Sequence, residues 1–140
     1  QHPQALVIGA DTVVALDGVL LGKPADARQA ASMLRRLSGR THEVYTGLSL
    51  SYGARNWRET VYARTEVSMR RLDDAEIASY VATGEPLDKA GAYAIQGRAA
   101  MFVDHIAGCY FNVVGLPLSL LSRMLRRAHR MCSATHRPKG

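Results

Sequence analysis

Long hydrophobic runs are missing from this chain. Its longest uncharged apolar stretch, residues 113–121, is far short of the roughly 20 residues a membrane-spanning helix needs. No basic, apolar and small-residue succession opens the chain as a secretory signal would. Cysteine is nearly absent: Cys109 and Cys132 stand apart without Cys-x-x-Cys spacing. That excludes a disulfide scaffold and points to two reduced thiols in a cytoplasmic protein. Aromatic residues make up only 6% of the chain, which leaves no platform for stacking unpaired bases. Lysine is scarce too, because arginine supplies nearly all the positive charge. The three lysines are Lys23, Lys89 and Lys139.

What is present is an ordinary globular mixture, 47% hydrophobic and 21% charged over 140 residues, enough for one domain with a real core. The net charge of +6 is unevenly spread. From Arg123 onward there are basic residues (Arg123, Arg126, Arg127, Arg130, Arg137, Lys139) and no acids, while the first 122 residues carry equal numbers of each sign. The division expected is a single domain over residues 1–128 and a basic tail over 129–140. A basic tail can hold nucleic acid by releasing counterions, but cations also suit the end of a solvated helix. With a neutral body, a nucleic-acid partner is not expected. The chain opens Gln-His-Pro without a methionine, which suggests a fragment or a processed product.

Along the chain, residues 5–8 form a continuous apolar run expected of a strand covered on both faces. Residues 12–16 and 19–21 flank Asp17-Gly18, a strong hairpin signal. Asp26 can cap a helix bearing Ala30, Met33, Leu34 and Leu37, with Gly39 ending it. Alternation at Val44, Thr46, Leu48 and Leu50, and again at Val61 to Met69, predicts two longer strands joined around residues 52–56. Asp73 and Glu76 make a capping box for a second helix. The glycine-rich segment that follows reads as loop. Residues 101–106 and 110–114 read as strands, and Pro117 suits the first turn of a final helix carrying Leu118, Leu121, Met124 and Leu125. Strands with interspersed helices imply an α/β domain with a mixed, twisted central sheet flanked by helices.

No Walker or Rossmann pattern is present: Gly22-Lys23 is followed by Pro24. His42, His105 and His129 each stand alone, with no zinc spacing and no readable nucleophile triad. What remains is Asp11, Lys23, Lys89 and Gln96, each set among glycines. A compact ammonium suits phosphate oxygens, and a surface turn lysine is the plain alternative. At these residues the chain resembles the Maf family of nucleoside triphosphate pyrophosphatases. The matching blocks are VIGADTVVALDGVLLGKP, AASMLRRLSGRTHEVYTGLSL, YVATGEPLDKAGAYAIQG and GCYFNVVGLPLSLL, which run almost continuously from Leu6 to about Leu125.

The resemblance implies a fold like that of Maf and inosine triphosphatase proteins, and hydrolysis of a nucleoside triphosphate to monophosphate and pyrophosphate with Mg²⁺ or Mn²⁺. It makes Asp11 the proton acceptor, which could orient or deprotonate the water or hold the metal. Lys23 and Lys89 would neutralise the triphosphate. Thr12 and Gln96 occupy positions linked to base selection. A glutamine amide offers one donor and one acceptor, matching O4 and N3–H of uracil or thymine. An acidic residue near this position would instead suit the cationic base of 7-methyl-GTP. AGAYAIQG therefore looks like the dTTP/UTP-type subgroup. Family members also carry an upstream strand and a Ser-x-Ser-Pro-Arg-Arg motif whose arginines grip phosphate. This chain has no such segment, so it reads as N-terminally truncated. Reduced or absent activity and a homodimer or aggregate through an unpaired edge are the corresponding expectations. The alternative is a catalytically impaired remnant that binds a nucleotide or a partner.

Overall fold

The computed structural model describes residues 5–133, and its sheet starts at the Asp17-Gly18 turn. Both turn residues have positive φ, 51° and 77°, the twist that lets two strands fold back in a tight hairpin. Strand β1 (Leu6–Leu16) thus returns as β2 (Val19–Leu21). Helix α1 (Ala27–Leu37) begins where the Asp26 carboxylate accepts the Gln29 amide at 2.8 Å. Strands β3 (Thr41–Tyr52) and β4 (Trp57–Met69) form the long hairpin at the sheet's centre. Helix α2 (Asp74–Ala82) carries the full Asp73–Glu76 capping box. Short 3₁₀ turns at Glu85–Asp88, Ala90–Ala92 and Arg98–Phe102 lead to β5 (Val103–Ala107). Helices α3 (Tyr110–Val114) and α4 (Leu118–Ser133) follow.

Within the expected α/β class, the sheet order is β2-β1-β3-β4-β5, and all four pairings among the described residues are antiparallel. Such a sheet can keep one face dry and one wet. On the dry face, Val44, Val67, Leu34, Leu37, Ile77 and Phe102 belong to one apolar cluster, with α1 and α2 packed on it. Leu48, Leu50, Met124 and Ala128 belong to a second, beneath α4. Between Val44 and Leu48, the inward position is Thr46, wholly buried. The wet face carries Glu43, Tyr45, Tyr62, Arg64 and Glu66, with Arg64 bridging both glutamates at 2.9 Å. No helix among the described residues is long and apolar enough to cross a membrane.

Three local expectations change. Residues 110–114 are the helix α3, not a strand. Its aromatic and β-branched residues favour strands only weakly, whereas Asn112 bonds to β3 and β4 from a helical turn closed by Gly115 at φ 118°. Residues 98–102 turn in 3₁₀ fashion, which delays β5 to Val103. Residues 5–8 are not covered on both faces: Leu6, Val7 and Ile8 are 39%, 55% and 48% exposed. They pair with β3 on one side, but β2 joins β1 only from Val14 onward. Of the expected tail, residues 129–133 continue α4; residues 134–140, with Arg137 and Lys139, lie outside the described residues.

Gly91 is one of the glycines this packing requires. It sits at φ 71°, and a Cβ there would meet Val14 side-chain atoms at 3.0–3.2 Å. Gly91→Ala is expected to cost about 2 kcal/mol or more, the left-handed backbone penalty plus the overlap. Gly18→Ala, with φ 77° but open space around it, should cost only the backbone share. Urea unfolding of the two variants side by side checks the difference.

Candidate active site

β1 outruns β2 by eight residues, and the gap beside its outer edge is where polar groups gather. A cleft of about 250 Å³ opens there, lined by Asp11, Thr12, Lys23, Asp88, Lys89 and Tyr93, with Val113–Gly115 at the end of α3 closing it. The two lysines come from separate loops. A backbone bond holds those loops together: the Gly91 amide donates to the Gly22 carbonyl at 3.1 Å. The Lys89 carbonyl in turn receives the Ala92 amide at 3.0 Å. Each lysine is thereby set next to a backbone clasp.

Asp11 and Thr12 are neighbours that face opposite ways, as alternation along a strand demands. Asp11 pairs with Gly47 on the wet face, and Thr12 with Thr46 on the dry face. Asp11 stands on the rim and lines a second hollow of about 180 Å³ with Tyr45, Gly47 and Tyr62. The Tyr62 ring lies over Gly47, where a Cβ would come within 3.0 Å of it. Among the described residues, no ion pair or side-chain hydrogen bond engages Asp11 or Lys23. Lys89 has only an exposed contact with Asp88 at 3.6 Å, the kind worth little in water. These charges are free to meet a ligand.

Gln96 is in the adjoining hollow, about 570 Å³, with Glu85 and Gly97. Asp88 and Lys89 line both spaces, so the two hollows lie on either side of that pair. Gly97 accommodates the Glu85 carboxylate, which a Cβ would overlap. Burial, followed by the Glu85 carboxylate, pushes the Tyr80 hydroxyl up from its ordinary pKa, so it stays protonated. A larger hollow of about 650 Å³ along α4 shares no lining residue with either.

Four of the five residues singled out from the sequence, Asp11, Thr12, Lys23 and Lys89, therefore line one cleft, whereas Gln96 lines the neighbouring hollow and not the cleft itself. Sequence reasoning missed the supports. Tyr93 lines the cleft, and its hydroxyl meets His42 Nε2 at 2.7 Å in the core. Burial lowers the His42 pKa to about 4, so the ring is neutral at pH 7. Asn112 and Thr46 were hidden as well, although AGAYAIQG did hold Tyr93 beside the predicted site. Asp88, a second cleft carboxylate, was within reach in Asp-Lys-Ala-Gly. Among the described residues there is no cluster of three or more His, Cys, Asp or Glu suited to a metal.

Comparison with known proteins gives a consistent family. A family model described as Maf-like protein matches residues 1–128. A dTTP/UTP pyrophosphatase of Pelotomaculum thermopropionicum is 56% identical over 123 residues, covering 88% of this chain and 64% of the relative. Proteins of the same name from Bacillus pumilus and Myxococcus xanthus are 54% and 53% identical, over 89% and 91% of this chain and 65% and 64% of their own lengths. The chain spans just under two thirds of these relatives.

The neutral His42 predicts a pH dependence. Its folded pKa, about 4, lies below the ordinary 6.5. Between those values the unfolded chain takes up a proton that the folded chain refuses. Stability is therefore fully present above pH 6.5 and falls as pH drops toward 4, by up to about 3 kcal/mol. Urea melts at pH 7 and pH 4.5 read this loss, and His42→Leu should shrink it.

Proposed function

The chain belongs to the Maf-like family, and on that premise we propose that it is a pyrimidine nucleoside triphosphate pyrophosphatase domain. Its substrates would be dTTP, UTP and related nucleotides, and its products the monophosphate and pyrophosphate. The supporting observation is the cleft that Asp11, Lys23 and Lys89 line together, a free carboxylate and two lysines whose loops are joined by the Gly22–Gly91 backbone bond. A hydrolase that cleaves between the α- and β-phosphates needs just such a pairing, a proton acceptor for water and fixed positive charge for the departing polyanion.

In the proposed reaction, Asp11 accepts the proton of a water attacking the α-phosphorus. The bond from α-phosphorus to the α,β-bridging oxygen breaks, and Lys23 and Lys89 take up the charge that grows on pyrophosphate. Asp11 and Asp88 are the carboxylates available to a Mg²⁺ or Mn²⁺ ion. A donor set of one or two carboxylates suits Mg²⁺, which keeps its remaining positions for water and substrate phosphates. When bound, the ion would supply further neutralisation of phosphate charge. Gln96 lines the space beyond Lys89, where a base could meet its amide. Nucleotide pools make the cytoplasm the proposed location.

Pyrophosphate release on dTTP, UTP and 7-methyl-GTP with Mg²⁺ or Mn²⁺ tests the assignment. Release should favour the two pyrimidines, and Asp11→Asn should lower it at least 100-fold, as loss of a general base does. Equal or greater release from 7-methyl-GTP would overturn the pyrimidine assignment. Nucleotide binding with no release would favour the catalytically impaired alternative. That second reading draws on the open outer edge of β1, where Leu6, Val7 and Ile8 are exposed beside unpaired backbone.

The same edge supports self-association, because its uncharged stretch from Leu6 to Ala10 is a template for another strand. Sedimentation of this chain should show a dimer or larger species as concentration rises. Val7→Lys, which sets a charge on that edge, should shift it toward monomer. A concentration-independent monomer before any substitution would contradict the proposal.

A further inference from the structure

The hydrogen-bond order beneath the cleft determines what the Thr12 hydroxyl can offer a ligand. Asn112 is the anchor. Its amide nitrogen meets the Val44 carbonyl at 3.1 Å and Thr65 Oγ1 at 2.9 Å. A carbonyl can only accept, so the nitrogen must be on that side and both its protons are committed. The Asn112 backbone carbonyl meets Thr46 Oγ1 at 3.2 Å. That carbonyl, too, can only accept, so Thr46 spends its single proton on it. Thr46 Oγ1 also meets Thr12 Oγ1 at 2.9 Å. With its proton already given, Thr46 can only accept here, and Thr12 must donate.

We propose that Thr12 therefore faces the cleft as a hydrogen-bond acceptor only, and that Thr46, held by Asn112, is the positioning residue that makes it so. Thr46 and Asn112 are wholly buried, so no water can reorder the chain of bonds. Thr12 itself lines the cleft with Asp11, Lys23 and Lys89. A ligand group placed against it must carry an N–H or O–H. An acceptor in the same place would meet lone pairs and lose both the bond and its solvation. This deepens the pyrophosphatase reading and rests on it for the choice of ligand. In a dTTP- or UTP-like molecule, the donors common to both are the N3–H of the base and the 3′-hydroxyl of the sugar.

The experiment is equilibrium binding by calorimetry, using α,β-imido triphosphates that cannot be cleaved, so its outcome does not depend on turnover. The probes are the UTP analogue, its N3-methyl form, the CTP analogue, and the 3′-deoxy UTP analogue. The wild-type chain should bind the UTP analogue about tenfold more tightly than the probe lacking the donor read by Thr12. Loss with N3-methyl and cytosine identifies the base as the source; loss with the 3′-deoxy form identifies the sugar. Thr46→Val, nearly the same shape without the hydroxyl, should bring that ratio below about threefold by freeing Thr12 to donate. Thr46→Ser should restore it. A merely structural role for Thr46 would weaken all probes alike and leave the ratio intact, which would overturn the proposal. Thr12→Val, at a half-buried position on the cleft wall, provides the check if Thr46→Val does not fold: an unchanged ratio there overturns it equally. No binding of the UTP analogue, or a flat ratio in the wild type, also overturns it. Binding with the expected ratio but no pyrophosphate release from UTP itself would uphold the polarity of Thr12 and sink the pyrophosphatase reading instead.

Discussion

A buried polar seam under the middle of the sheet is the constraint on which the rest of the molecule hangs. The dry face would be continuous hydrocarbon if inward positions simply alternated apolar residues. Instead Thr46 and Thr65 stand on adjacent strands, and Asn112 reaches down from α3 to join them. Thr65 Oγ1 passes its own proton to the Cys109 carbonyl at 3.1 Å, tying the start of α3 as well as its middle. Each of these bonds adds little on its own, but leaving one such group unpaired costs about 1–3 kcal/mol. The seam thus selects one placement of a five-residue helix too short to be stable alone. It also separates the α1–α2 cluster from the α4 cluster.

That placement fixes the cleft. Val113, Val114 and Gly115 follow Asn112 immediately and form the wall opposite the lysine loops. The seam surfaces at Thr12, so a side chain in the cleft is the last member of a network rooted in the core. A second buried contact reaches the cleft by another route, His42 to Tyr93. His42 stays neutral because burial opposes its charging, and Tyr93 is kept protonated mainly by burial. The cleft is therefore backed by neutral, ordered groups, with its formal charges confined to the rim.

Local chemistry was legible in the chain. The Asp17-Gly18 turn, the Asp26 cap and the Asp73–Glu76 box depend on neighbours within four residues, and each formed as sequence predicts. Asp11, Lys23 and Lys89 were legible because glycines and a proline flank them, the residues loops require. Residues 110–114 were not, since their strand-favouring side chains were overruled by bonds to Val44 and Thr65, far away in sequence. Asn112 was lost with that misreading, because on a strand it would have been one more alternating position. Thr46 was read correctly as strand and still gave no hint of its task. A threonine in an alternating run looks the same whether its hydroxyl meets water or a buried relay.

Some of the arginines, unlike the two lysines of the cleft, are tied into the scaffold. Arg35, Arg40, Arg64, Arg70 and Arg127 are each engaged by a carboxylate of the scaffold. A guanidinium fork suits that work because it can hold two oxygens at once, as Arg70 does with Glu76. Lys23 has no such partner among the described residues, and Lys89 has only its exposed neighbour Asp88. Cations already paired in the scaffold have less to offer an incoming phosphate, since the old pair must first separate. Exposed ammoniums on loops clasped backbone to backbone can accept a polyanion without dismantling anything. Lys23 and Lys89 thus bring to the cleft positive charge that the fold has not already spent.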